Sequence, residues 1–134
     1  MPIDMQGLCP LIQVYDMPTS LRFYRDLLGF EIYSSSAPST PDNSGWVSLK
    51  RNGAELMLNT AYDADSRPAA PDPTRLAGHD DIGLFIGCPD VDAAYRYLSD
   101  KGLNVRPPKV APYGMKQLYL KDPDGFGICL QWKA

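Results

Sequence analysis

A chain of 134 residues that is 44% hydrophobic and 22% charged is sized for one compact domain with a real core, and it is not a disordered polymer. A net charge of −3 without any basic stripe excludes the electrostatic footprint of a nucleic-acid-binding protein. The start "MPIDMQGLCP" lacks a cationic head and an apolar run, no segment is long enough to cross a membrane, and three cysteines without tight spacing argue against a disulfide framework, so a reduced, cytoplasmic protein is expected, with no nucleic-acid or membrane partner.

In chain order, the strand-like run "CPLIQVY" comes first, and a helix follows from Asp16. Met17, Ser20, Leu21 and Tyr24 form its buried stripe, Asp16 stands at the N-cap, and Gly29 marks the stop. Three more strands follow, "FEIYS", "WVSLK" and "AELMLN", with "RNG" as the tight turn between the last two. "AYDADSRPAAPDPTRLAGHDD" is rich in proline and small residues and reads as a linker. The plan then repeats, with Asp90 lying 74 residues after Asp16. "IGLFIG" is a strand, and Val91, Ala94, Tyr95 and Leu98 stripe a helix that stops at Gly102. "LNVRP", "MKQLYL" and "GICLQW" complete the set, with "DPDG" turning into the last strand. Each half is therefore βαβββ. The expected architecture is α+β, a single domain of two modules (1–60 and 80–134, linker 61–79) whose curved mixed sheets enclose a cleft suited to a small molecule.

With two βαβββ halves, "VYDMPTSLRFYRDLLGFEI" and "KDPDGFGICLQW" resemble the vicinal oxygen chelate superfamily, the group of glyoxalases, bleomycin-resistance proteins and extradiol dioxygenases. The resemblance covers nearly the whole chain. It implies the fold; it does not imply one function, because this fold hosts lyases, epimerases, dioxygenases, thiol transferases and drug-binding proteins. It also implies where metal ligands would fall: Cys9, Glu55, a position near Asp81 or Gly83, and Cys129. The metal-dependent members carry His, Glu, Gln or Asp there, a hard-ligand set with open positions for a chelating substrate. Two thiols with Glu55 suit a soft zinc site instead. The commoner behaviour of free cysteines is buried apolar packing, and a reactive thiol is the remaining alternative. The lone His79 falls at none of the four positions and reads as a loop residue. No metal or other cofactor is therefore expected.

Strand alternation sorts what else faces the cleft. Ile12 and Val14 should pack against the helix, leaving Cys9, Leu11, Gln13 and Tyr15 open. Leu56 and Leu58 pack, leaving Glu55, Met57 and Asn59 open. Ile82, Leu84 and Ile86 pack, leaving Gly83 and Phe85 open. In the last strand Ile128, Leu130 and Trp132 pack, leaving Cys129 and Gln131 open, and Gln117 and Tyr119 join the cleft side. Met57, Phe85, Tyr15 and Tyr119 thus offer apolar or aromatic surface, while Gln13, Asn59, Gln117 and Gln131 offer polar anchors. The same residue types also suit a dimer seam. Arg67 and Tyr113 sit in loops that either cover the cleft or merely connect strands, and Arg67 suits an anionic ligand.

Two functions follow. One is metal-free binding of a small aromatic or planar ligand, as in the antibiotic-sequestering members that the chain resembles. The other is a metal-dependent lyase, isomerase or dioxygenase with Glu55 as general base or metal ligand. A homodimer is expected in either case.

Overall fold

In a computed structural model the protein is described from residue 2 to residue 134, and it divides into two compact units, one ending at Ala69 and one spanning Ala70–Ala134.

The first unit begins with β1 (Leu11–Val14), followed by α1 (Met17–Leu21), which widens into a π-helical turn over Arg22–Leu27, where the Leu28 amide reaches back to the Phe23 carbonyl. Asp16 starts the helix by accepting the Thr19 amide at 3.0 Å, and Gly29, at φ +85°, ends it. The strands β2 (Glu31–Ser35), β3 (Trp46–Arg51) and β4 (Ala54–Thr60) follow. The sheet order is β1-β4-β3-β2, with β1 parallel to β4 and the other pairs antiparallel. Ile12, Val14, Val47, Leu49, Leu56 and Leu58 turn one face into the core, where they meet Met17, Ser20 and Leu21. Tyr24 is fully buried, with its ring edge-on to Phe23 at 4.9 Å and to Phe30 at 6.1 Å. The opposite row of each strand, Leu11, Gln13, Trp46, Ser48, Met57 and Asn59, is left on the other face.

The second unit repeats the plan. It contains β5 (Gly83–Gly87), α3 (Val91–Asp100), β6 (Lys109–Val110), β7 (Met115–Lys121) and β8 (Gly127–Lys133), in sheet order β5-β8-β7-β6. Asp90 caps α3 by accepting the Ala93 amide at 2.9 Å. Val91 and Leu98 from the helix are buried with Leu118, Leu120 and Ile128 from the sheet.

Four expectations need correction. The stretch 61–79 carries a helix of its own, α2 (Pro73–Gly78), capped by Asp72 and followed by a 3₁₀ turn at His79–Asp81. The strand expected over "LNVRP" does not form there; pairing with β7 begins only at Lys109, because Pro107 and Pro108 have no N–H to give a ladder. Ile82 and Trp132 do not pack inward. Ile82 precedes β5 and Trp132 lies at the far end of β8, and each is more than two-fifths exposed. His79 is not a bare loop residue. Its ring stacks on Phe126 at 3.9 Å, and its Nδ1 lies 2.6 Å from the Asp124 carbonyl oxygen.

That histidine belongs to a clamp on the Asp122–Gly125 turn. Asp122 Oδ1 accepts the amides of Asp124 (2.9 Å) and Phe126 (2.8 Å), and both aspartates are buried. Gly125 sits at φ +85°, and a Cβ there would stand 2.7 Å from the Leu76 carbonyl oxygen of α2. Only glycine satisfies both conditions.

Candidate functional site

In the first module, sheet register brings several candidates together. Gln13 pairs with Asn59 across the parallel strands, and the Asn59 amide donates to Gln13 Oε1 at 3.1 Å. Met57 lies beside Leu11, the next pair along. Tyr15 follows β1 and donates its hydroxyl proton to the Pro68 carbonyl at 2.6 Å. Arg67 lies over the Tyr15 ring at 5.0 Å and pairs with Asp16 at 2.6 Å, so its charge is engaged at the start of the helix. The Asp16 carboxyl is held below its ordinary pKa: burial works to raise it, but hydrogen bonds from Thr19 and Arg67 outweigh that.

The second module gathers the rest into one connected surface. Phe85, Cys129 and Tyr119 stand abreast on β5, β8 and β7, and the next row along is Gly87, Gln131 and Gln117. The rings of Phe85 and Tyr119 meet edge to face at 6.2 Å and are 54% and 57% exposed. Cys129 lies in the row that alternation assigned it but is only 1% exposed, flanked by these aromatics. Gln117, 6% exposed, is the hub of a hydrogen-bond network. Its amide nitrogen donates to the Tyr113 hydroxyl at 2.7 Å and to Gln131 Oε1 at 3.0 Å, and its amide oxygen accepts the Tyr119 hydroxyl at 3.1 Å. Burial and the neighbouring Cys129 push the Tyr119 phenol up, so it remains a neutral O–H donor at physiological pH.

Two glycines shape this surface. Gly83 leaves the space into which the Phe85 ring leans, 3.2 Å from where a Cβ would stand. Gly87 leaves room for the Trp132 ring at 3.3 Å. Glycine inside a strand is the local signal for such close approaches.

The positions that the resemblance assigns to metal ligands do not make a hard-ligand set. Cys9 and Glu55 neighbour one another in the first module, but Glu55 is paired with Lys50 at 3.2 Å. In the second module the register sets Phe85 opposite Cys129, while Asp81 lies exposed in the 3₁₀ turn before β5. Burial pushes the thiols of Cys9 and Cys129 up, so both rest as neutral thiols. Among the described residues no three His, Cys, Asp or Glu side chains gather into a metal-holding group. No helix among them is long and apolar enough to cross a membrane.

Comparison with known proteins adds the following. Residues 8–130 match the family model of the glyoxalase/bleomycin resistance protein/dioxygenase superfamily. TnmS3, an antibiotic-binding protein from Streptomyces, is 23% identical, with a TM-score of 0.71 over 100% of this chain and 99% of that one. A bleomycin-binding protein solved with bleomycin is 20% identical, with a TM-score of 0.66 over 97% of this chain and 100% of that one. TioX from Micromonospora is 14% identical, with a TM-score of 0.72 over 97% and 100%. No curated protein matches the chain in sequence. At these identities the solved structures establish the fold.

Proposed function

The chain belongs to the glyoxalase/bleomycin resistance protein/dioxygenase superfamily, and from that premise we propose that it binds a small planar or aromatic organic molecule without a metal ion. One observation carries this reading. The second module presents Phe85 and Tyr119 as exposed rings beside an amide network built from Gln117, Gln131 and Tyr113. Rings supply stacking area at low entropic cost, and buried amides fix orientation. Two of the structural relatives are described as binding an antibiotic or bleomycin, which fits a ligand of this size and character. The donors at Cys9, Glu55, Asp81 and Cys129 support the metal-free form, because none of the four is a histidine and Glu55 is committed to Lys50. The same reading takes the protein as a cytoplasmic homodimer, a state that light scattering tests directly.

A thermal-shift screen of planar aromatic fragments, run with and without EDTA, tests the proposal. A bound fragment at about 100 times its Kd adds ~2.7 kcal/mol to stability, and chelator leaves that gain unchanged. Phe85→Ala weakens binding about tenfold by removing one stacking surface. A melting temperature raised several degrees by a divalent metal alone, or stoichiometric metal in the purified protein, overturns it.

A further inference from the structure

The direction of the amide network specifies what its ligand must offer, and this inference rests on the function just proposed. Tyr119 donates its hydroxyl proton to Gln117 Oε1, so the Gln117 amide oxygen faces that ring. Both Nε2 hydrogens of Gln117 are then spent, one on Tyr113 and one on Gln131 Oε1. Gln117 is buried, and the reverse orientation would leave one of its two amide hydrogens without a partner, which favours this direction. Gln131 is therefore held as an acceptor toward Gln117, with its own Nε2 facing away. No described residue takes those two hydrogens. Across the sheet the neighbour of Gln131 is Gly87, which has no side chain to compete for them, and the next row holds the Phe85 ring.

We infer that the second module selects planar aromatic ligands that carry a carbonyl-type oxygen at the ring, received by the Gln131 amide nitrogen while the ring rests against Phe85 and Tyr119. A molecule offering only a donor meets a donor at this point and is discriminated against. A molecule offering neither leaves the amide desolvated and unpaired.

Three nearly isosteric tricyclic probes separate the possibilities: 9-fluorenone carries an acceptor, fluorene has no polar group, and carbazole has a donor. Affinities by equilibrium dialysis should place fluorenone about tenfold tighter than fluorene, with carbazole no tighter than fluorene. Gln131→Leu should abolish the fluorenone advantage while leaving fluorene bound. Gln131→Glu, an acceptor only, should shift the preference toward carbazole. Circular-dichroism melts check that each variant folds, and the wild-type ranking decides the question if Gln131→Leu does not. Equal affinity for fluorenone and fluorene, or carbazole binding tightest, overturns the inference and leaves the proposed function standing. If none of the three binds, the inference falls together with the aromatic-ligand reading.

Discussion

In the first module the hairpin between β3 and β4 turns over Asn52 and Gly53, with open space where a Gly53 Cβ would stand; in the second, the turn between β7 and β8 is gripped by α2, His79 and the buried Asp122. The open faces differ in the same spirit. The first module closes its polar groups on one another, Gln13 with Asn59, Lys50 with Glu55, Arg67 with Asp16. The second leaves exposed rings and an amide with unspent donors. One duplicated plan has thus been finished two ways, with a Gln13–Asn59 pair on the open face of one copy and exposed rings beside the Gln117–Gln131 network on that of the other. The backbone pattern is common to both copies, and the difference lies in side-chain chemistry, where function resides on a shared fold.

The turns give the sharpest contrast. Gly125→Ala forces a side chain into a left-handed backbone and against the Leu76 carbonyl, so it should cost about 3 kcal/mol in urea denaturation. Gly53→Ala meets open space without a left-handed φ and should cost under about 0.5 kcal/mol. Equal losses would mean that the second turn is as bare as the first.

What was legible in the sequence follows the range of the interactions. The helices announced themselves through stripes such as Met17, Ser20, Leu21 and Tyr24 and through capping aspartates, all local signals. Period-two alternation placed Phe85 and Gln131 on one face, because that pattern too is read along a single strand. The pairing of Gln117 with Gln131, and of Phe85 with Cys129, is set by strand register, which one strand does not encode alone. The contact of His79 with Asp124 spans 45 residues and depends on a helix inside what composition marks as a linker. The strand expected over "LNVRP" gave way to the shorter β6 because Pro107 and Pro108 remove two donors in succession.

The two helix caps offer a smaller contrast. Asp16 accepts from Thr19 and also pairs with Arg67, whereas Asp90 accepts from Ala93. At neutral pH, Asp16→Ala should cost about 1.5 kcal/mol and Asp90→Ala about 1 kcal/mol. The Asp16 carboxyl has a depressed pKa in the folded state. Its contribution is therefore complete above its unfolded pKa of about 4 and is lost as pH falls through the lower folded value. Urea melts at pH 7 and pH 3 should show the penalty of Asp16→Ala shrinking in acid. A penalty that grew in acid would mean that the carboxylate is not the form that the folded state prefers.

The smallest effect concerns the ion pair of the first module. Lys50 and Glu55 are each about two-fifths exposed, so Glu55→Gln should cost no more than about 0.5 kcal/mol. Its clearer signature is chemical. Burial raises the pKa of Cys9, the charge of Glu55 raises it further, and Lys50 works against both. Removing the Glu55 charge should therefore lower the Cys9 pKa and speed its alkylation by iodoacetamide at a fixed, mildly alkaline pH, because the thiolate is the reacting form. Lys50→Met should slow it. Peptide mapping isolates Cys9 from Cys129, which is buried, and from the half-buried Cys88. If both substitutions left the Cys9 rate unchanged, the charges in this row would not be felt at the thiol, and the picture of a first module whose polar groups are locked to one another would lose its electrostatic support.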